Sequence, residues 1–493
     1  MGSLRRCVAA AAALAVVVST IATPASASTG TKKPEPPPKH WDPRVKKIAA
    51  FVERDRGLEF EHPIRVDFLT DEAFRRKVRT DEDDVTAADR KDAAQSAGQL
   101  HALALIGADV DLIGASSDLD EFSIVGYFDT ELEVMVIRGK DLTDVEVRVT
   151  VAHELVHALQ DQHYNLDKLY NTTETSGEAF ALDVLIEGDA SLIEIDYIST
   201  LSNKQQDEYY GEGASADENA EDAPGDAPLP EGVPVALDLF SSVPYVLGPS
   251  FVYLLSSIDG RELDRAFEDP PVTDEDIMDP VAWADHKRPD RVAAPKLTVG
   301  ESKAGPPDEF GAFTLYLMLA ARTDVKTALR AATGWGGDRY RGFERDGRQC
   351  IRAAFVGDTG RDTDEIEAAL GEWAATLPPG MATVSRGGGV VELTSCEDDT
   401  VEAPEAAALE EAVYTTLDLR ITLAADFVGG FDASVKAARC SADRFVTDPA
   451  LVPIVERIYY EGVDVEDLAE AEQKTFYTRS GRHFQACGVP IDG

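Results

Sequence analysis

The run "VTVAHELVHALQDQHYNL", residues 149–166, holds His153, His157 and His163, three of only eight histidines in a chain of 493 residues. Its centre reads H-E-x-x-H. On a helix, residues four apart share a face, so His153 and His157 can aim their rings at one ion. Imidazole nitrogen suits zinc at ~2.0–2.1 Å, and a catalytic zinc takes a third protein ligand while keeping a position open. Glu154, beside the first histidine, is then placed to take a proton from water and pass it to a leaving amine. The chemistry this spacing points to is zinc-assisted hydrolysis of an amide.

Two residues compete for the third ligand position. With His163 included, the run reads H-E-x-x-H-x-x-Q-x-x-H, whereas the three-histidine pattern of metzincins has glycine where Gln160 stands. That glycine lets the chain turn sharply out of the helix, a backbone conformation costly for glutamine. If the helix continues instead, His163 lies about 80° off the ligand face and some 15 Å along the axis from His153. The other candidate is Glu187 in "LIEGDAS", thirty residues after His157. It belongs to a second apolar helix expected over residues 178–202, on which Asp183, Glu187, Ser191 and Glu194 share a face. Packed antiparallel to the first, this helix can bring the Glu187 carboxylate to the ion, and Gly188 would permit a close helix approach. Asp183 or Asp189 could then orient a zinc-bound histidine. A purely structural reading has the histidines bonded to neighbouring carbonyls and the carboxylates on a solvated face. The apolar character of both helices counts against it, because buried polar groups need partners and a metal supplies one.

"HELVH" with a downstream helical "EGDA" resembles the gluzincin arrangement of zinc metallopeptidases, in which two histidines and a glutamate hold the metal. More widely, "HELVHALQDQHYNLD", "EGDA", "FEDPP" and "GWGGDRY" resemble a group of uncharacterised bacterial secreted metallopeptidase-like proteins, over roughly residues 45–377. The resemblance implies zinc as cofactor, His153, His157 and Glu187 as its ligands, Glu154 as the base, and a peptide or protein as substrate. The N-E-x-x-S-D form of the thermolysin-type second motif is absent, so the substrate preferences of that type are not implied.

The elements that must hold these residues can be read around them. Asp144 is the expected N-cap of the histidine helix, whose apolar residues run nearly all round it, as in a buried central helix. Immediately before it, "FSIVGYFDTELEVMVIRG" signals a hairpin around Asp129 and Thr130. Its second strand, "ELEVMVIRG", is either an edge that could align an extended substrate or an ordinary central strand. "IRVDFLT" reads as a further strand, "VKKIAAFVERDRG" and "DEAFRRKVR" as helices, and the glycines of "TGWGGDRY" and "SRGGGVVEL" as turns. Tyr164, Tyr197, Tyr245, Tyr253 and His286 are available as oxyanion-stabilising donors, and the sequence selects none of them.

The expected fold is α+β: a mostly helical zincin-like domain over 41–385 with a small sheet beside the histidine helix, and a helical, disulfide-bearing C-terminal region over 386–493. Residues 203–235, acidic and rich in Gly, Ala and Pro, are expected to form a flexible insertion. Residues 1–27 have the charged, apolar, small-residue order of a secretory signal peptide, cleaved after Ala27, and residues 28–40 form a Pro-rich linker. After Cys7 leaves with the leader, Cys350, Cys396, Cys440 and Cys487 remain, an even number suited to two disulfides in an oxidising compartment. Neighbours along the chain close the shorter loops, which favours 350–396 and 440–487. Loss of Arg5 and Arg6 takes the formal charge from −44 to −46, a surface that repels nucleic acid and anionic lipid. No later segment has the roughly 18 uninterrupted apolar residues of a membrane span. These features point to a secreted zinc metallopeptidase. The alternatives are a catalytically silent zincin-fold extracellular binding module and a three-histidine metzincin-type protease.

Overall fold

A computed structural model describes residues 35–80, 85–139, 141–210 and 229–490. The expected signal peptide, residues 28–34 of the linker and residues 211–228 of the acidic segment lie outside the described residues. The fold is α+β, with helices packed around two separate sheets.

The smaller sheet has the order β1-β3-β2, built from β1 (Arg65–Leu69), β2 (Gly126–Asp129) and β3 (Val134–Arg138). β1 runs parallel to β3, and β2 pairs with it antiparallel as the expected hairpin. The strand "ELEVMVIRG" is therefore central rather than an edge, in keeping with its fully buried Val134, Met135, Val136 and Ile137. β1 and β2 form the two edges.

The histidine helix spans Val145–Tyr164. Asp144 caps it by accepting from the Glu146 amide. It ends where Asn165 turns to the left-handed conformation at φ 59°, and the Asn165 side chain then caps the next short helix through Lys168. Its Val151, Leu155, Val156 and Leu159 pack against Ile48, Ala49 and Val52 of the first helix, Lys46–Arg56, and against Met135 and Ile137 of β3.

The second apolar helix spans Ser176–Ser199 and is termed the glutamate helix. Across it lies a third, the crossing helix Val235–Ile258, which contains Pro244 and Pro249. By length and composition the crossing helix could span a membrane; in this fold most of it is buried, with Val243, Leu247 and Phe251 in the main core. A Cβ on Gly188 would fall 2.4 Å from the carbonyl carbon of Gly248. The close approach expected at Gly188 thus exists, and its partner is the crossing helix. Residues 203–209 of the expected flexible insertion form a short helix.

The larger sheet is antiparallel, in the order β4-β5-β6-β8-β7, with β4 (Glu301–Asp308), β5 (Trp335–Arg345), β6 (Arg348–Gly357), β7 (Ala382–Gly387) and β8 (Val390–Cys396). Gly334 does end the preceding helix in a turn, but "WGGDRY" lies in β5: a Cβ on Gly337 would sit 2.5 Å from the Asp290 carbonyl oxygen, so glycine there serves a close backbone approach. "GGG" at 387–389 does connect β7 to β8. The boundary expected at 385/386 falls inside β7, and the main core runs from Ala93 to Val489. Cys350 and Cys396 are cross-strand partners on β6 and β8 and form one disulfide; Cys440 and Cys487 join two C-terminal helices by the other.

Candidate metal centre

His153 and His157 project from one face of the histidine helix, rings 4.8 Å apart and nearly perpendicular. The glutamate helix brings Glu187 between them. Its Oε2 lies 3.1 Å from His153 Nε2 and 3.2 Å from His157 Nε2. Among the described residues, these three form the one group of His, Cys, Asp or Glu side chains close enough to hold a metal ion, their ligand atoms all within 4.8 Å of one another. Ligands at ~2.0–2.1 Å from a tetrahedral zinc sit ~3.3 Å apart, so the donor set and its spacing fit that ion. Two imidazole nitrogens facing one carboxylate oxygen also need a cation between them, either protons or a metal.

The electrostatics express that need. Burial opposes ionisation of Glu187, but His157 and His153 outweigh it and hold the carboxyl at about 2. Burial likewise opposes charge on His153, yet hydrogen bonds to Glu187 and Glu194 raise its pKa well above the ordinary value. His157 moves the same way against burial, through Glu187. Each distal ring nitrogen is held as well: His153 Nδ1 lies 2.8 Å from Glu194 Oε2, and His157 Nδ1 lies 3.0 Å from Gln160 Oε1. Glu194 Oε1 in turn accepts from the Tyr209 hydroxyl at 2.9 Å.

Glu154 is buried beside the two histidines, and its burial pushes its carboxyl above the usual range. The backbone of Phe128 in β2 acts against that rise.

The comparisons with known proteins bear on another part of the chain. A family model described as a domain of unknown function (DUF8575) matches residues 300–416. That segment contains β4 to β8 and none of the residues around the histidines. No curated protein and no solved structure matches the chain.

His163 stands apart from the group. It is exposed in the last turn of the histidine helix, with Nε2 2.8 Å from the Glu59 carbonyl oxygen. Asp183 accepts from the Tyr170 hydroxyl at 2.7 Å. Asp189 touches neither histidine and instead accepts from Gln160 at 3.0 Å and pairs with Arg56 at 2.9 Å.

Three participants were not singled out by sequence reasoning. Glu194 was placed only on the shared face with Glu187, a seven-residue repeat that is the signal for it. Gln160 entered only as the residue that spoils the three-histidine pattern. Tyr245 was one donor among five. The crossing helix puts its ring 5.9 Å from that of His153, and burial together with the Glu187 and Glu154 carboxylates holds its hydroxyl well above the usual pKa. Gly248 lies one turn beyond Tyr245, so the Gly188–Gly248 contact sets Tyr245 against the residue preceding Gly188. A cavity of about 580 Å³ lies elsewhere, lined by Lys296, Arg345, Arg352 and Glu392 among others, and it includes none of these side chains.

Proposed function

We propose that the chain is a secreted zinc-dependent metallopeptidase that hydrolyses peptide bonds in peptide or protein substrates. One observation carries the reading: His153, His157 and Glu187, from two helices, converge with their ligand atoms within 4.8 Å, and Glu154 lies beside them. A zinc ion held by these residues would polarise a carbonyl and lower the pKa of water towards ~7. Glu154, raised by burial, accepts the proton and delivers it to the leaving amine. The Tyr245 hydroxyl donates towards the charge that develops on the carbonyl oxygen. β2, at a sheet edge and packed against the histidine helix, offers backbone groups to an extended substrate.

The leader-like first 27 residues and the two disulfides support an extracellular location. The formal charge of −44 disfavours nucleic acid and anionic membrane surfaces as partners.

The test is cleavage of a broad peptide library by wild type and by Glu154→Gln, each with measured zinc content. The expected result is chelator-sensitive cleavage by wild type and a fall of at least ~10²-fold in Glu154→Gln at unchanged zinc content. Undiminished cleavage by the variant removes the proposed base. A wild type that binds zinc and cleaves nothing favours the binding-module reading.

A further inference from the structure

We infer that Gln160 is a positioning residue of the metal centre, committing His157 to carry its proton on Nδ1 and so reserving the Nε2 lone pair for a cation. The metal part of this inference rests on the zinc-site reading above; the placement of the proton does not. Gln160 lies three residues after His157, on the same helix face, and is 1 % exposed. Its Oε1 is 3.0 Å from His157 Nδ1, and its amide nitrogen donates to the Ile186 carbonyl and to Asp189 Oδ2, each at 3.0 Å.

Both of those partners are acceptors: a main-chain carbonyl and a carboxylate already engaged with a guanidinium. Turning the Gln160 amide over would aim its oxygen at two acceptors and its NH₂ at the imidazole. Only one orientation of the amide therefore satisfies the network. In that orientation an oxygen faces His157 Nδ1. A carbonyl oxygen can only accept, so the hydrogen belongs to Nδ1. Any hydrogen on Nε2, the atom that faces Glu187 at 3.2 Å, is then the one a metal ion displaces, and its departure leaves the lone pair there.

The lock is anchored at a distance. Asp189, itself 1 % exposed, is held by Arg56 from the end of the first helix. Arg56 Nη2 continues to Asp264 at 2.9 Å, where the Tyr164 hydroxyl also donates at 3.0 Å. The first helix, far from the ligands in sequence, thus enters the centre through Arg56–Asp189–Gln160. The two histidines are consequently held in different ways, His153 by a carboxylate and His157 by a neutral amide. The glutamine that displaces the glycine of the three-histidine pattern is the residue this centre uses.

The experiment compares the full-length protein with Gln160→Met, which keeps the volume and removes the acceptor, and with the double variant Gln160→Glu/Asp189→Asn, which keeps an acceptor for Nδ1 and a donor–acceptor pair with residue 189. Zinc affinity is measured by chelator competition, and the imidazoles are followed by NMR with nitrogen-15 in histidine, where only eight residues contribute. In wild type His157 is expected to show a slowly exchanging proton on Nδ1 before and after zinc is added. Gln160→Met should lose that signal and bind zinc ~10–100-fold more weakly, while Gln160→Glu/Asp189→Asn retains both. A wild-type His157 protonated on Nε2 alone overturns the inference whatever the zinc result. Zinc binding by Gln160→Met as tight as wild type, or an equal loss in both variants, also overturns it. Failure of wild type to bind zinc with the Nδ1 proton in place counts against the metal reading and leaves the proton placement supported.

Discussion

Glu187 faces two imidazole nitrogens with a single oxygen, and burial with the Glu187 and Glu154 carboxylates raises the Tyr245 hydroxyl well above its usual pKa. A helix residue on a solvated face would have water in all these places. Tyr245 is expected to act on the reaction rather than on binding, because its hydroxyl also lies close to the proposed base. In steady-state kinetics Tyr245→Phe should lower kcat by ~10²-fold with KM and zinc content near wild type; an unchanged kcat would remove it from the mechanism. At this scale the convergence of the candidate ligands was legible and their supports were not. His153, His157 and Glu154 follow from spacing within one helix turn. Glu187 required a guess about how two helices pack. Gln160 and Tyr245 depend on where a side-chain amide and a hydroxyl point, which no periodicity encodes.

The helix crossing at Gly188 and Gly248 places the candidate metal centre. It sets Glu187 of the glutamate helix and Tyr245 of the crossing helix against the histidines. A Cβ at Gly188 meets backbone at 2.4 Å, which no side-chain rotation can relieve. Gly188→Ala should therefore cost ~1–3 kcal/mol in urea unfolding and weaken zinc binding. Gly371, inside the helix Gly360–Ala375 with nothing within 4 Å of its added Cβ, is the control. There alanine should stabilise by ~0.5–1 kcal/mol. Equal effects at the two positions would contradict the crossing. The helices, the hairpin and β1 were legible because each carries its own apolar period. β5 was misread because its glycines answer a neighbouring backbone, and the central place of β3 was undecided because strand order is set by long-range pairing.

The molecule as a whole joins the metal centre to a large core that continues through the second sheet and the disulfide-linked C-terminal helices. The disulfide pairing favoured by loop length is the one present, since each pair sits on neighbouring elements. Protonation of the centre also reaches the stability of the whole fold. Glu187 is lowered to about 2 from an ordinary 4.5, so its contribution is present above about pH 4.5 and is lost as pH falls towards 2. His153 and His157 are raised, so theirs is complete below about pH 6.5 and is lost as pH rises through the raised values. A zinc ion held there would have to displace those histidine protons. The rise in Tm on adding zinc should accordingly be small near pH 5.5 and larger at pH 8; a shift that shrinks with rising pH would contradict this sign. The most direct test of the metal centre is zinc per chain, by elemental analysis, in wild type, Glu187→Ala and His163→Ala. One zinc in wild type and in His163→Ala, with loss in Glu187→Ala, is the expected result. Loss of zinc in His163→Ala alone would contradict the account.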